Sequence, residues 1–278
     1  MKIFEIIKLA CEKLSEVETP RLDAEILLAY VLNCRRLNLY TDTDRILTQD
    51  EITRYMKLIE RRAEKIPVAY LIGVKEFFGL NFAVNENVLI PRPDTEILVQ
   101  CAIEFLQTVD EKIFLDIGTG SGAICVSILK FLRTARAVAT DISEKSLEVA
   151  KFNAQKFNVD DRAEFLCGDL FATADKKFAA IISNPPYIPT ADIKNLQAEV
   201  LSEPIKALDG GLDGLNFYRR IISSAEKFLL PRGFLAFEIG INQAAAVKNL
   251  LAENNFAEIE ILRDLAGLER VICAKQKF

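Results

Sequence analysis

From residue 112 onward the chain alternates short apolar runs with amphipathic stretches, and nothing else in it constrains the fold as strongly. "IFLDIG", "AVATD", "AEFLCGD", "FAAIIS" and "GFLAFEIG" read as strands. "AICVSILKFL", "SEKSLEVAKFNAQKF", "LNFYRRIISSAEKFLL" and "AAAVKNLLAEN" read as helices. Strands joined through helices predict a mostly parallel sheet in a three-layer α/β fold. The last two strands, "FAEIEILRD" and "ERVICAK", are separated only by "LAGL". That connection is too short for a crossover, so they should pair antiparallel.

The first 72 residues are of a different kind. Ile3, Phe4, Ile6, Ile7, Leu9, Ala10 and Leu14 recur at helical spacing. Thr19-Pro20 reads as an N-cap with proline at the first helical position, and Thr48 with Glu51 reads as a capping box. A small helical bundle is expected. Between the two regions, "EFFGLNFAVNENVLIPRP" carries two β-like runs punctuated by Gly79, a hairpin signal. The expected organisation is a helical domain over 1–75, a hairpin linker over 76–92 and the α/β domain over 93–278.

Composition removes several chemistries. The chain has no histidine, which excludes Ser-His-Asp triads, Cys-His pairs and histidine metal sites. Its six cysteines show no CxxC spacing, so no metal site is expected, and most of them read as core residues of a reducing compartment. The net charge of −5 disfavours broad binding to nucleic acid, which rests on many phosphate contacts. No apolar run approaches the roughly 18 residues that span a bilayer, and the N-terminus interleaves acids with its apolar residues. A cytoplasmic protein with no membrane contact is expected.

Two corners of the α/β region carry chemistry. "LDIGTGSGAI" puts Gly118, Gly120 and Gly122 directly after the first strand of the sheet. There the backbone can turn tightly and approach a ligand. Asp141 ends the next strand, about 20 residues on, where a carboxylate can accept both ribose hydroxyls of a nucleoside. This pair suits either a dinucleotide or S-adenosyl-L-methionine (SAM). Asp116 tilts the choice toward SAM, because a carboxylate there repels a pyrophosphate and suits the ammonium of the methionine moiety. Asp169 could accept from the adenine amine, and Leu170 could pack on the adenine face.

The second corner is "SNPPYIP", which ends the fourth strand on the same sheet edge. A planar NH₂ nitrogen is a poor nucleophile because its lone pair is delocalised. Two acceptors aimed at its two hydrogens fix it and turn the lone pair toward an electrophile. The Asn184 side-chain oxygen is one such acceptor. The Pro185 carbonyl, held by Pro186 in extended geometry, is the other. Tyr187 can stack on the flat group. This is catalysis by positioning and preorganised dipoles, and it needs no histidine. An NAD-dependent oxidoreductase on the same sheet would leave this corner unexplained.

Asn-Pro-Pro-Tyr after a fourth strand resembles the motif of methyltransferases acting on planar nitrogen. Three further stretches, "LIPRPDTE" (89–96), "EPIKALDGGLDGLNFYRRI" (203–221) and "FEIGINQ" with "RDLAGLERV", resemble the HemK/PrmC family over nearly the whole chain. The resemblance implies a class I SAM-dependent methyltransferase fold, Rossmann-like with an antiparallel last strand, preceded by the helical bundle. It implies N5-methylation of the glutamine in the GGQ motif of peptide-chain release factors. By the same resemblance Gly118, Thr119, Gly120, Ser121, Gly122 and Asp141 bind SAM, with Asp116, Asp169, Leu170 and Asn184 close by. Asn184, Pro185, Pro186 and Tyr187 hold the substrate amide. The family often has an aromatic residue where Leu170 stands. The helical domain and hairpin should help dock a release factor, with the enzyme a monomer that binds no nucleic acid directly. Arg92 and Glu96 should brace the active-site wall, and "GGLDGL" should shape a turn and a helix cap. The alternative is a methyltransferase acting on exocyclic amines of adenine or guanine in nucleic acid.

Overall fold

A computed structural model describes residues 1–172 and 174–277. In chain order the helices are α1 (Ile3–Lys13), α2 (Pro20–Val31), α3 (Asn38–Thr41), α4 (Gln49–Ala63), α5 (Val68–Ile72), α6 (Thr95–Gln107), α7 (Ala123–Phe131), α8 (Glu144–Lys156), α9 (Ala198–Leu201), α10 (Asn216–Ala225) and α11 (Ala244–Glu253). The strands are β1 (Val74–Phe77), β2 (Leu80–Ala83), β3 (Ile113–Ile117), β4 (Arg136–Asp141), β5 (Ala163–Cys167), β6 (Phe178–Ser183), β7 (Leu229–Glu238), β8 (Phe256–Arg263) and β9 (Glu269–Gln276). Two compact units result: 1–74 with 197–202, and 75–196 with 203–278.

The first unit is helical. Ile3, Ile6 and Ala10 of α1 pack with Ala24, Leu27 and Leu28 of α2 and with Tyr55 and Ile59 of α4. Thr48 and Glu51 form the expected capping box. Pro20 opens α2 as expected, but the Thr19 side chain does not cap it, because its hydroxyl donates to Asp23 instead. Arg62, only 2% exposed, donates to Asp23 Oδ2 at 2.7 Å and also to Glu199 of α9. A buried guanidinium is tolerated only when paired, and that pairing explains why the distant segment 197–202 belongs to this unit.

The second unit is the α/β layer. The β1–β2 hairpin turns through Phe78 and Gly79, both with positive φ (51° and 73°), the geometry of a two-residue primed turn. The hairpin packs into this unit's core through Phe77 and Phe82. The main sheet has the order β5-β4-β3-β6-β7-β9-β8. Its first five strands are parallel, and β9 runs antiparallel to both β7 and β8. Side chains alternate between faces. Phe114, Ala137, Ala180 and Ile182 meet α6 and α7 on one side. Leu115, Val138, Ile181 and Phe237 meet α10 and α11 on the other. The β6 strand is buried along its whole length, as a central parallel strand must be. No helix among the described residues is long and apolar enough to cross a membrane, and no cluster among them could hold a metal ion.

Candidate active site

The strand order reverses between β3 and β6, and a doubly wound sheet binds its ligand at such a switch point, beyond the carboxyl ends of the strands. Here the register pairs Ile117 with Ser183. The next residue on one strand is Gly118 and on the other Asn184. Backbone pairing alone therefore sets the glycine loop beside the Asn-Pro-Pro corner, and the Ser183 hydroxyl donates across to the Ile117 carbonyl at 2.8 Å.

A cavity of about 570 Å³ opens at this point. Gly118, Gly120, Asp141, Asp169, Leu170, Asn184, Pro185 and Pro186 all line it. Gly118 and Gly120 have φ of +72° and +56°, and no atom of the described residues lies within 4 Å of where a Cβ would stand on either. Of the loop residues only these two face the cavity. Thr119 turns inward and donates to Asp116 Oδ2 at 2.7 Å, the Ser121 carbonyl accepts from Asn153 at 2.9 Å, and Gly122 packs against Ala150 and Val126 where α7 begins.

Asp141 is half-buried and fixes the loop. Its Oδ2 accepts from the Gly120 amide and its Oδ1 from the Ser143 amide, each at 2.9 Å. A carboxylate offers about four lone-pair sites, so both oxygens can still accept from a ligand. Burial raises its pKa above the ordinary carboxylate value, against the lowering effect of those amides. Asp116 is fully buried, and burial pushes its carboxyl up to about 7. Thr119 and the Cys125 amide both donate to Oδ2, while Oδ1 is buried with no hydrogen-bond partner among the described residues. An orphaned buried carboxylate oxygen is costly unless something supplies a donor.

Asp169 does not stand free. Arg220 of α10 pairs with it at 2.5 Å and lies over the Phe217 ring, 5.8 Å from its centroid. Phe217 and Arg220 line the cavity beside Leu170, and nothing in the local sequence pattern singled them out. Helical spacing on α10 marks its buried face, whereas these two stand on its cavity rim.

At the second corner the Asn184 Nδ2 donates to Thr95 Oγ1 at 3.3 Å, and Thr95 donates to Glu238 Oε2 at 2.5 Å. Tyr187 donates its hydroxyl to Glu238 Oε1 at 3.2 Å. It does not line the cavity. No donor among the described residues reaches the Asn184 Oδ1 or the Pro185 carbonyl. Glu238 is 3% exposed, and burial raises its carboxyl to about 7.

The "EPIKALDGGLDGL" stretch does more than turn and cap. It straps the corner in place. The Ile188 amide donates to Leu208, the Gly210 amide to Ile188, and the Thr190 amide to Gly211. Gln243 donates to the Tyr187 carbonyl at 2.8 Å. Side-chain atoms would not fit between them: a Cβ on Gly210 would lie 2.7 Å from Tyr187 Cα, and one on Gly214 only 2.3 Å from Tyr187 O. Arg92 pairs with buried Glu203, whose Oε2 also takes the Ile90 amide, so it braces the start of this strap. Glu96 braces a different element, since it accepts from the Phe78 amide and so holds the hairpin turn.

Comparison with known proteins agrees with this layout. The family description "PrmC N-terminal domain" matches residues 5–73, and "Methyltransferase small domain" matches residues 94–212. The chain is 41% identical to a release factor glutamine methyltransferase of Clostridium acetobutylicum, covering 91% of this chain and 90% of that protein. It is 43% identical to the enzyme of the same name from Moorella thermoacetica, covering 94% and 93%. For Geobacter sulfurreducens the figures are 41% identity, 92% and 89%. Among solved structures, a methyltransferase from Pyrococcus furiosus superposes with a TM-score of 0.54 at 17% identity, covering 79% of this chain and 99% of that one. The hMettl16 catalytic domain, solved with the MAT2A 3'UTR hairpin 1, gives 0.60 at 17% identity, covering 89% and 90%. At such identities the structural likeness speaks for the fold.

Proposed function

This chain belongs to the release factor glutamine methyltransferases, and from that membership we propose that it moves a methyl group from SAM to the side-chain amide nitrogen of the glutamine in a release factor's GGQ motif. The observation that carries the proposal is the register of β3 against β6, which sets two unengaged acceptors, Asn184 Oδ1 and the Pro185 carbonyl, directly beside a glycine-lined cavity.

The residues present fit SAM. Asp116 stands behind the glycine loop and does not line the cavity, and we assign its orphaned Oδ1 to an ammonium that reaches it past the loop; the remaining lone pairs of Asp141 are matched by two ribose hydroxyls. Phe217 and Leu170 offer apolar surface to adenine, and Asp169 keeps one oxygen for its amine. Gly118 and Gly120 leave room for the ligand to lie against the backbone. Of the loop, we assign these two to direct contact and Thr119, Ser121 and Gly122 to its support. When bound, SAM supplies an electrophilic methyl on a sulfonium.

The chain's own groups then have to hold a flat amide. Asn184 Oδ1 and the Pro185 carbonyl accept its two N–H bonds, which fixes the nitrogen and turns its lone pair toward the cavity. Pro186 keeps the Pro185 carbonyl from rotating. Tyr187, its hydroxyl tied to Glu238, closes the side of the corner. Both acceptors are preorganised, so little reorganisation accompanies the charge that develops on the nitrogen. The proton leaves to water. We assign docking of the release factor to the helical unit and the hairpin, with the enzyme acting as a cytoplasmic monomer. Labelled SAM offered with purified release factor, its GGQ Gln→Ala variant, DNA and RNA tests the proposal. Label on intact release factor alone supports it, and label on nucleic acid would replace it with an exocyclic-amine methyltransferase.

A further inference from the structure

We infer that Thr95 and Glu238 are positioning residues that decide which end of the Asn184 carboxamide faces the substrate. The inference rests on the proposed reading that Asn184 holds the substrate amide. A carboxamide has an acceptor end and a donor end of nearly the same shape. Only the acceptor end serves a substrate NH₂. Turned over, the same side chain would present N–H against N–H, and the corner would repel the group it must hold.

The direction is set by counting hydrogens. Thr95 is 4% exposed at the first position of α6 and Glu238 is 3% exposed at the last position of β7. A threonine hydroxyl has one hydrogen, and here it goes to Glu238 Oε2. A carboxylate can only accept, so that hydrogen is committed. The Thr95 oxygen is left with lone pairs, and the only partner they can take from Asn184 is its NH₂. Oδ1 is therefore directed away from Thr95. A flipped Asn184 would set its oxygen against the Thr95 oxygen with no hydrogen between them. The relay spans 143 residues of sequence between Thr95 and Glu238 and 89 between Thr95 and Asn184.

Glu238 takes the Tyr187 hydroxyl on its other oxygen, so one carboxylate holds both side chains of the corner. Its backbone carbonyl is fixed in turn by the Tyr218 hydroxyl at 2.9 Å. The charged groups that bear on it are Asp94 and Arg270, the latter paired with both Asp94 and Asp264. If Glu238 becomes protonated, it must donate to one of its two hydroxyl partners. Donation to Thr95 releases the Thr95 hydrogen toward Asn184, and the amide can turn over.

The test compares Thr95→Val, Thr95→Ser and Asn184→Ala in methyl transfer to release factor at saturating SAM, with SAM affinity by calorimetry and folding by thermal melting. Removing one buried hydrogen-bonding partner should lower kcat roughly 10- to 100-fold in Thr95→Val, with KM for release factor and SAM affinity held within about twofold. Thr95→Ser restores the hydroxyl and should regain most of the rate. The wild-type kcat should also fall as pH drops below about 7, and Glu238→Gln should abolish that acid limb. If Thr95→Val keeps full kcat while Asn184→Ala is inactive, the relay is wrong and the reading of the corner stands. Equal loss in Thr95→Val and Thr95→Ser would also overturn the relay, as it would show a packing role. A fully active Asn184→Ala would remove the reading itself.

Discussion

Gly214→Ala separates backbone strain from misplacement of the corner. Gly214 has φ +75°, and an added Cβ would stand 2.3 Å from the Tyr187 carbonyl oxygen and 2.6 Å from Gln243 Nε2. Ordinary contact begins near 3.4 Å, so the Tyr187 backbone or the strap must move by about 1 Å. Misplacing a reacting group by that distance costs on the order of 100-fold in rate. The left-handed backbone adds about 1–2 kcal/mol of instability for alanine. Gly79→Ala is the matched control. Its φ is +73°, and nothing lies within 4 Å of its Cβ position, so it carries the same strain without the clash. Both variants should melt at reduced temperatures, Gly214→Ala by more because it adds the clash to the strain. At saturating release factor, where a docking defect in the hairpin of Gly79 does not enter, only Gly214→Ala should lose kcat, by about 100-fold, with SAM affinity little changed in calorimetry. Equal kcat in the two variants would refute the claim that this strap positions the corner.

Three further outcomes follow from the same geometry. Asp141→Ala should weaken SAM binding by about 100-fold in calorimetry, since it removes two charge-assisted acceptors and unpins Gly120; unchanged affinity would contradict the ribose assignment. Asn184→Ala should cost about 100- to 1,000-fold in kcat, the magnitude seen when one preorganised polar group is lost, and should shift SAM affinity only a few-fold. Asp116 gives a pH dependence of definite sign. Its carboxyl sits at about 7 because it is buried, a cationic ammonium favours the ionised form, and binding must therefore expel a proton below that pH. SAM affinity should rise from acid toward neutral pH, being about tenfold weaker one unit below the pKa than well above it. Calorimetry in buffers of different ionisation enthalpy should detect the released proton. A flat profile in the wild type would contradict the assignment.

Much of this was legible in the sequence because it is local. Apolar runs that alternate with helical periods specify β3 to β7, and the four residues between the last strands exclude a crossover. The ends of those strands carry the glycine loop, Asp141 and Asn184, so the sheet topology delivers them to one edge. What stayed hidden is contact between segments far apart in the chain. Thr95 opens α6 and Glu238 ends β7, far apart in the chain, and only folding shows their side chains joined. The glycines of "GGLDGL" read as a turn, although the space they leave is occupied by the Tyr187 backbone. The loop glycines look equivalent in the sequence. They differ because β3 feeds Gly118 and Gly120 toward the cavity, while Gly122 is packed against α8. Segment 197–202 lies inside the α/β region by position, and the buried Arg62 guanidinium is what places Glu199 in the helical unit.

The proposed reaction changes one nitrogen. Tandem mass spectrometry of the GGQ peptide from methylated release factor locates the methyl group, and acid hydrolysis distinguishes an amide N-methyl from any other. A single methyl on the glutamine side chain, with methylamine released on hydrolysis and product formed about 100- to 1,000-fold more slowly by Asn184→Ala, is the expected result. A methyl on any other residue of the peptide, or hydrolysis without methylamine, would contradict an active site built to hold a planar amide between Asn184 and Pro185.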